Sequence, residues 1–299
     1  MKYTILILVG LAGVKLFGQI PSVSSGKIVR LESFPSDYVN PRNVDVWLPA
    51  NYDTGGAYAV LYMHDGQMLF DATKTWNGQE WKVDETVSRL LQEGRIRDCI
   101  VVGIWNDGEY RRSDYLPQKA LGYLPDELSD SITRTMLMGA PRGDAYLKFL
   151  VTELKPFIDT RFSTRTDRIN TFIMGSSMGG LISMYAICEY PEVFGGAACL
   201  STHWFGAPLS WNKRVPEAYI KYLAEHLPDP AHHRLYFDYG TETLDKHYAP
   251  YQARADEVIR SAGYDDSHFM NRKYTGDAHT EAAWAGRLKV PVVFLLGRK

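Results

Sequence analysis

Short, uninterrupted apolar runs alternate with longer amphipathic stretches along most of the chain. The runs at 58–63, 99–105 and 195–200 are typical of strands that are buried on both faces of a sheet. The stretches between them carry apolar residues at three- and four-residue spacing, which predicts helices. Because strands and helices alternate almost throughout, the sequence predicts an α/β fold with a mostly parallel central sheet and helices on both of its faces.

Residues 27–48 have a different pattern. Residues 42–48 alternate clearly and place Val44, Val46 and Leu48 on one face, as expected of a half-buried strand. Residues 27–34 alternate more weakly, and prolines and glycines bound both segments. Together they predict an antiparallel N-terminal edge of the sheet.

The stretch 168–190 predicts a strand, a sharp turn and a helix. Its turn, GSSMG at 175–179, fits the pattern G-x-S-x-G with Ser177 at the centre. Small residues two before and two after such a serine let the backbone fold tightly and lift the hydroxyl out of the turn. The N-terminus of the following helix favours negative charge that develops beside it. Ser177 is therefore the candidate nucleophile, although glycine and serine also occur together in turns without chemistry.

A serine nucleophile needs a base within hydrogen-bond reach and an acid that orients the base. His279 is the last histidine and stands in a loop of small residues between the final predicted strand and a helix, which makes it the candidate base. The loop after the predicted strand 234–239 offers two acids, Glu242 and Asp245. Glu242 is preferred because it lies nearer the end of the strand, and Asp245 is the alternative.

The run at 58–63 ends in the sequence HDGQ at 64–67. A glycine directly after a central strand lets the chain turn and present its backbone N–H groups. The backbone N–H groups of Gln67 and Met178 are the candidate donors of an oxyanion hole. His64 is not favoured as the base, because it precedes Ser177 in the chain order.

Six further residues are candidate substrate contacts because they are polar or aromatic and stand in or near these loops. They are Asp65, Trp76, Trp81, Tyr110, His203 and Trp204. Exposed aromatic side chains near a site suit a bulky aromatic or sugar-linked ester. Buried tryptophans, by contrast, are ordinary core residues, so both interpretations stay open.

These motifs resemble those of the Putative esterase family of α/β hydrolases, which includes enterochelin esterases, feruloyl esterases, S-formylglutathione hydrolase and the mycolyltransferases. The matching segments are YMHDGQ at 62–67, GSSMG at 175–179, YGTE at 239–242 and GDAH at 276–279. They extend over nearly the whole chain from about residue 28. The resemblance implies an α/β-hydrolase fold, with Ser177 as nucleophile, His279 as base and the oxyanion hole at Gln67 and Met178.

One position departs from the pattern of this family. Several relatives carry the acid three residues after the loop glycine, where this chain has Thr243. Some siderophore esterases, in addition, use only serine and histidine. The resemblance therefore leaves the choice between Glu242 and Asp245 open.

The function implied is a serine carboxylic ester hydrolase that acts through an acyl-enzyme on a small-molecule ester. A siderophore ester and a sugar or aromatic ester are the expected substrate classes. An acyltransferase with the same triad and a non-catalytic binding protein on a hydrolase scaffold are the alternatives. The chemistry calls for no metal and no organic cofactor.

Composition and charge argue against other classes. The chain has 299 residues, of which 45% are hydrophobic, and a net charge of −2 without a basic block, so nucleic acid is not an expected partner. Its three cysteines are dispersed and lie in apolar surroundings. They predict buried core residues and neither a disulfide framework nor a metal cluster.

The chain begins like an exported protein. A lysine at position 2 precedes an apolar stretch at 4–14 that is too short to span a membrane, and Gly18 offers a small residue before a cleavage point. A buried first strand is the alternative. We expect a signal peptide at 1–18, a secreted or periplasmic location without stable membrane association, and one catalytic domain over 19–299. Residues 118–140 lack a firm period and predict an insertion or lid.

Overall fold

The computed structural model describes residues 19–54, 56–206 and 212–298. The predicted signal peptide lies outside the described residues, so it and the expected location stay predictions. None of the described helices is long and apolar enough to cross a bilayer.

Eight strands in the described part of the chain form one sheet. They are β1 Lys27–Phe34, β2 Arg42–Leu48, β3 Ala59–His64, β4 Cys99–Ile104, β5 Thr171–Ser176, β6 Gly196–Leu200, β7 Arg234–Gly240 and β8 Phe269–Tyr274. Their spatial order is β1-β2-β4-β3-β5-β6-β7-β8. The pairs β1–β2 and β2–β4 are antiparallel, and every other neighbouring pair is parallel. The predicted parallel sheet with an antiparallel N-terminal edge is therefore confirmed.

The helices between and after these strands cover both faces of the sheet. They are α1 Val83–Gln92, α2 Arg111–Asp114, α3 Asp126–Met136, α4 Gly143–Phe149, α5 Lys155–Arg161, α6 Met178–Glu189, α7 Arg214–His226, α8 Ala249–Ser261, α9 Glu281–Arg287 and α10 Lys289–Leu296. A π-helical turn, Leu150–Leu154, joins α4 to α5. Helix α6, which directly follows the candidate nucleophile, is buried along nearly its whole length and is accordingly apolar on all sides.

A separate hydrophobic core lies on each face of the sheet. In β3, Val60 and Tyr62 belong to one core, whereas Leu61 and Met63 belong to the other. Because neighbouring side chains of a strand point to opposite faces, a strand between two cores needs an apolar residue at every position. This is the physical origin of the uninterrupted apolar runs.

The three cysteines are buried and unbridged, as the sequence predicts. Burial raises the pKa of the Cys99 thiol to about 12, which keeps it protonated and inert at neutral pH.

The segment 118–140 packs against α6 and α7. The backbone N–H of Lys119 donates to the hydroxyl of Tyr185 over 3.3 Å, and the hydroxyl of Tyr123 donates to Glu225 over 2.5 Å. Lys119 also forms an ion pair with Glu189. These contacts attach the segment to the helices that cover one face of the sheet.

The parallel strands direct their carboxyl ends toward one edge of the sheet. The turns and loops that leave these ends carry Asp65 after β3, Ser177 after β5, Ser201 after β6, Asp245 after β7 and His279 after β8. Such an edge is where α/β sheets bind ligands.

Candidate active site

Ser177 occupies a strained turn between β5 and α6. Its backbone angles, φ 57° and ψ −122°, are rarely adopted by residues other than glycine. The turn is also tight, since a Cβ at Gly175 would lie 2.7 Å from backbone atoms of Gly179. The carbonyl oxygen of Ser177 accepts from Leu181 N over 3.1 Å, so the helix begins at the serine. The strand, turn and helix that the motif predicts are all present.

The Ser177 side chain lines a cavity of about 700 Å³ at the carboxyl edge of the sheet. His279 lines the same cavity, as do four of the other residues singled out in the sequence: Asp65, Gln67, Trp76 and Trp81. No residue of 118–140 is among the described residues that line it. A lid role for that segment therefore stays a prediction without support from this arrangement.

The carboxylate that contacts His279 is that of Asp245. Its Oδ1 lies 2.6 Å from Nδ1 of the imidazole, and the aspartate is fully buried. Glu242, in contrast, is exposed. The geometry therefore does not support the preference for Glu242 and favours the alternative acid.

The course of the loop explains why the acid nearer the strand end is not the one that contacts the histidine. The N–H of Glu242 donates to the backbone oxygen of Asp277 over 3.0 Å, and the chain then reverses at Thr243, whose φ is 53°. Asp245 N donates back to Glu242 O over 3.1 Å. This reversal places the later residue, and not the earlier one, beside the histidine.

Thr243 occupies the position at which several relatives carry the acid. Its Oγ1 accepts a hydrogen bond from the backbone N–H of His279 over 2.8 Å. The threonine thus holds the main chain of the candidate base, while the imidazole ring is held by Asp245.

Asp245 is held in its charged form by its neighbours. Burial alone would raise the pKa of this carboxyl, but hydrogen bonds from His279, from the Ser201 hydroxyl (2.5 Å) and from Gly240 N (2.6 Å) lower it below the ordinary value. At neutral pH the carboxylate is therefore ionised and can stabilise a positive charge on the imidazole.

The candidate oxyanion donors lie at two tight turns. Met178 is the first residue of α6, so its N–H has no partner within the helix. Gln67 is the middle residue of a 3₁₀ turn, Gly66–Met68, that is closed by a 2.8 Å bond from Met68 N to Asp65 O. A Cβ at Gly66 would lie 2.5 Å from backbone atoms of Gly103, so this turn requires a glycine to approach β4. Gln67 and Ser177 line the same cavity, which supports the predicted role without testing it.

Asp65 is engaged in a charged pair at the wall of the cavity. Nε and Nη2 of Arg111 lie 2.7 Å from its two oxygens, and Asn106 Nδ2 donates to it over 2.7 Å. Burial would raise the pKa of Asp65, but the positive charge and hydrogen bonds of Arg111 lower it. Asp65 therefore fixes the guanidinium, and Arg111 is one of the groups that face the cavity.

The family model described as Putative esterase matches residues 38–295, which is most of the chain. The chain belongs to this family.

Two of its relatives in sequence are a protein of unassigned function and an esterase. The uncharacterised protein YbbA of Bacillus subtilis is 28% identical over 166 residues, or 55% of this chain and 58% of that protein. The siderophore enterobactin esterase of Emericella nidulans is 26% identical over 162 residues, or 52% of this chain and 50% of that protein. The matched part thus spans 58% of the first relative and 50% of the second.

Solved structures show the same fold at lower sequence identity. A ferulic acid esterase superposes with a TM-score of 0.66 at 19% identity, covering 90% of this chain and 98% of that one. The enterobactin esterase FES from Shigella flexneri superposes with a TM-score of 0.64 at 17% identity, covering 93% of this chain and 59% of that one. The predicted α/β-hydrolase fold is therefore confirmed.

Three residues proposed as substrate contacts are not among the described residues that line the cavity of this esterase-family chain. Trp204 is fully buried and stacks on Phe237 with ring centroids 6.0 Å apart, so it is a core residue. Tyr110 packs under the guanidinium of Arg142 at 4.4 Å. His203 is buried and is described below. The apolar runs near these residues did not reveal which aromatic side chains turn inward.

Tryptophan side chains form one side of the cavity. Trp76 is 84% exposed at its rim, whereas Trp81 is buried and lies 5.5 Å from the ring of Trp284. Trp284 in turn meets the His279 ring edge to face at 5.0 Å. The sequence analysis missed Trp284, although its position five residues after the candidate base was an available signal.

Two buried histidines near the site are neutral at ordinary pH. Nδ1 of His64 lies 2.8 Å from the hydroxyl of Tyr146, and Nδ1 of His203 lies 2.7 Å from that of Tyr248. Burial lowers the pKa of each to about 3. Neither is suited to act as a base that must accept a proton near pH 7.

We expect these two histidines to make the protein less stable in mild acid. Unfolding exposes them and returns their pKa to about 6.5, so the unfolded chain binds more protons below that pH, and stability is lost as the pH falls. Each should contribute a loss of about 2 kcal/mol between pH 7 and pH 5. Urea unfolding at both pH values measures this loss. It should be smaller in His203→Gln than in the wild type or in the exposed control His232→Gln, and equal losses in all three would contradict the assignment.

Proposed function

We propose that this chain is a serine carboxylic ester hydrolase that acts through an acyl-enzyme on Ser177. One observation carries the proposal: a serine in a strained strand-to-helix turn shares a cavity with a histidine whose ring is bound by a buried carboxylate. Membership of the esterase family supports the same conclusion.

His279 is the proposed base and Asp245 the proposed acid. Because Nδ1 of the imidazole faces Asp245 at 2.6 Å, Nε2 is the nitrogen left to take the proton of the Ser177 hydroxyl. Among the hydrogen bonds of the described residues, none joins the Ser177 hydroxyl to the His279 imidazole. Such bonds often tighten only in the complex with substrate.

The reaction proceeds through two tetrahedral intermediates. The Ser177 oxygen attacks the ester carbonyl as its proton passes to His279, and the backbone N–H groups of Gln67 and Met178 stabilise the oxyanion. The C–O bond to the alcohol then breaks, and the alcohol leaves with the proton from the imidazolium. A water molecule, deprotonated by His279, hydrolyses the acyl-enzyme by the same route and releases the acid.

The cavity supports an ester with an aromatic or sugar ring as the substrate class. Its wall combines tryptophan rings, which can stack on such a group, with polar groups from Asn106 and the Asp65–Arg111 pair, which can meet its hydroxyls. The names of two matched proteins point the same way, since one is a ferulic acid esterase and the other a siderophore enterobactin esterase.

Removal of the exposed ring at the rim should affect bulky substrates selectively. Trp76→Ala is expected to raise KM for a feruloyl ester by about 10-fold, the size of a lost aromatic contact of about 1.4 kcal/mol. KM and kcat for ethyl acetate should change by less than about twofold, because neither half of this ester carries a ring that could stack on Trp76. Steady-state kinetics of both substrates measures the difference. Equal effects on the two esters would place Trp76 outside the substrate site.

Product analysis tests the proposed function against its two alternatives. The protein is incubated with a feruloyl ester, with and without a competing sugar acceptor, and the acid and any new ester are quantified by chromatography. Free acid as the main product in both incubations is expected. Acyl-sugar as the main product would instead indicate a transferase, and tight binding without any product would indicate a binding protein.

A further inference from the structure

Ser201 is a fully buried residue at the carboxyl end of β6, and its backbone is strained. Its φ is 44°, in the left-handed region where a non-glycine side chain is disfavoured. The conformation is fixed by a 2.8 Å bond from its N–H to Asp238 O on the neighbouring strand. Glycine would adopt this backbone without strain, so the feature that serine adds here is its hydroxyl.

The Ser201 hydroxyl has three hydrogen-bond partners, and their chemistry fixes the direction of each bond. Nε1 of Trp284 lies 2.9 Å away and Nη2 of Arg287 lies 2.8 Å away. Indole and guanidinium nitrogens only donate, so both lone pairs of the hydroxyl are used as acceptors. Its proton is therefore directed to the third partner, Oδ2 of Asp245, at 2.5 Å.

This donation determines how the Asp245 carboxylate is oriented. Oδ2 accepts from Ser201 and from the backbone N–H of Gly240, while Oδ1 faces His279. With one oxygen held by two donors, the carboxylate cannot rotate without breaking both bonds. The remaining oxygen stays aligned with Nδ1 of the imidazole.

Arg287 in turn fixes Ser201 and joins the loops of the site. Its Nη2 lies 2.9 Å from Asp238 at the end of β7, and its Nη1 lies 2.9 Å from Asp277 in the loop that carries His279. The same Nη2 lies 3.9 Å from Oδ2 of Asp245. One buried guanidinium thus contacts the end of β6, the end of β7 and the loop after β8.

We propose that Ser201, held by Arg287 and Trp284, is a positioning residue that orients the triad acid Asp245 toward His279. This inference rests on the proposed esterase function. It adds a buried hydrogen bond from the end of β6 to the loop after β7. The alignment of the proposed acid with the proposed base depends on this bond.

Ser201→Gly tests the role of the hydroxyl. Glycine suits the positive φ, so the variant keeps the backbone and removes only the hydroxyl. Measured with p-nitrophenyl acetate, kcat should fall by about 10- to 100-fold, the size expected for a lost hydrogen bond to a charged group. KM should change by less than about twofold, because Ser201 does not line the cavity.

A spectroscopic readout tests the same claim independently of turnover. An imidazole proton shared with a buried carboxylate at 2.6 Å gives a far-downfield proton NMR resonance. We expect this resonance in the wild type and expect it to shift upfield or broaden in Ser201→Gly. The change in the resonance tests the role of Ser201, whereas turnover by the wild-type protein tests the esterase function. A failure of one proposal can therefore be told from a failure of the other.

Two further variants complete the design. Ser183→Ala is the matched control, because Ser183 is also a buried serine but donates only to the backbone oxygen of Gly179 over 2.7 Å. It should keep kcat within about twofold. Arg287→Lys keeps the positive charge but cannot form all of the hydrogen bonds that the two terminal nitrogens of the guanidinium make. We again expect a fall in kcat with little change in KM.

A wild-type kcat together with an unchanged downfield resonance in Ser201→Gly would overturn the proposal. So would a loss of the same size in Ser183→Ala, since the effect would then follow from any lost buried hydroxyl. A fall in kcat confined to Ser201→Gly and Arg287→Lys, with a perturbed resonance in Ser201→Gly, would support it.

Discussion

Replacing Ser177 with alanine should lower kcat for ester hydrolysis by at least about 10³-fold. The reason is that the acyl-enzyme forms on the Ser177 oxygen, and alanine offers no atom that can attack the carbonyl. The melting temperature should stay within a few degrees of the wild type, because the side chain is small and lines an open cavity, so its removal leaves no buried void. Turnover of p-nitrophenyl acetate and thermal unfolding measure the two quantities on the same samples.

The matched control is again Ser183→Ala, in helix α6, which directly follows Ser177. This variant also removes one serine hydroxyl, and it should retain nearly full activity. A wild-type rate in Ser177→Ala would overturn the assignment of the nucleophile, whatever the control showed.

Asp245→Asn should lower kcat by about 10²- to 10⁴-fold, whereas Glu242→Gln should change it by less than about twofold. Asparagine has nearly the same shape but no negative charge, so it can neither stabilise the imidazolium nor fix which imidazole nitrogen carries the proton. The Glu242 side chain is exposed, and only its backbone N–H and C=O groups shape the loop. The Glu242→Gln variant should therefore fold and react normally. Single-turnover kinetics with p-nitrophenyl acetate compares the acylation rates directly.

The two acid variants control for each other, because both replace a carboxylate with an amide in the same loop. A larger loss in Glu242→Gln would restore the preference drawn from the sequence. Small, equal losses in both variants would favour a site that uses only serine and histidine.

The parts of the site that the sequence identified are those that depend on local geometry. The turn around Ser177 needs small residues at fixed offsets, and the buried strands need apolar residues at every position, so both leave direct patterns. His279 could be singled out as the candidate base because chain order and the strand before it restrict the choice.

The preference for Glu242 differs from the geometry because the position of Asp245 depends on a reversal of the chain. Nothing in the local pattern shows that the loop turns back at Thr243, a non-glycine residue with φ 53°. The start of the loop is held by hydrogen bonds from the N–H groups of Thr241 and Glu242 to the backbone oxygen of Asp277, more than thirty residues later in the chain. Nearness to the strand end was therefore a poor guide to nearness to the histidine.

The same reason explains the residues that were missed or misplaced. Arg287 and Ser201 are far apart in sequence and meet only when the sheet brings their loops together. Trp204 and Trp76 are both tryptophans near predicted loops, but the first is fully buried and the second is 84% exposed. Side-chain direction at the ends of strands is decided by tertiary packing, which a single sequence does not display.

Fluorophosphonate labelling of the purified protein tests the central claim most directly, because the reagent forms a covalent bond only with an activated serine. The adduct is located by mass spectrometry of the digested protein, with Ser177→Ala and Asp245→Asn treated in parallel. The account predicts one adduct, on Ser177, that is absent from Ser177→Ala and forms much more slowly in Asp245→Asn. A folded wild-type sample that hydrolyses p-nitrophenyl acetate but carries no adduct on Ser177 would contradict it.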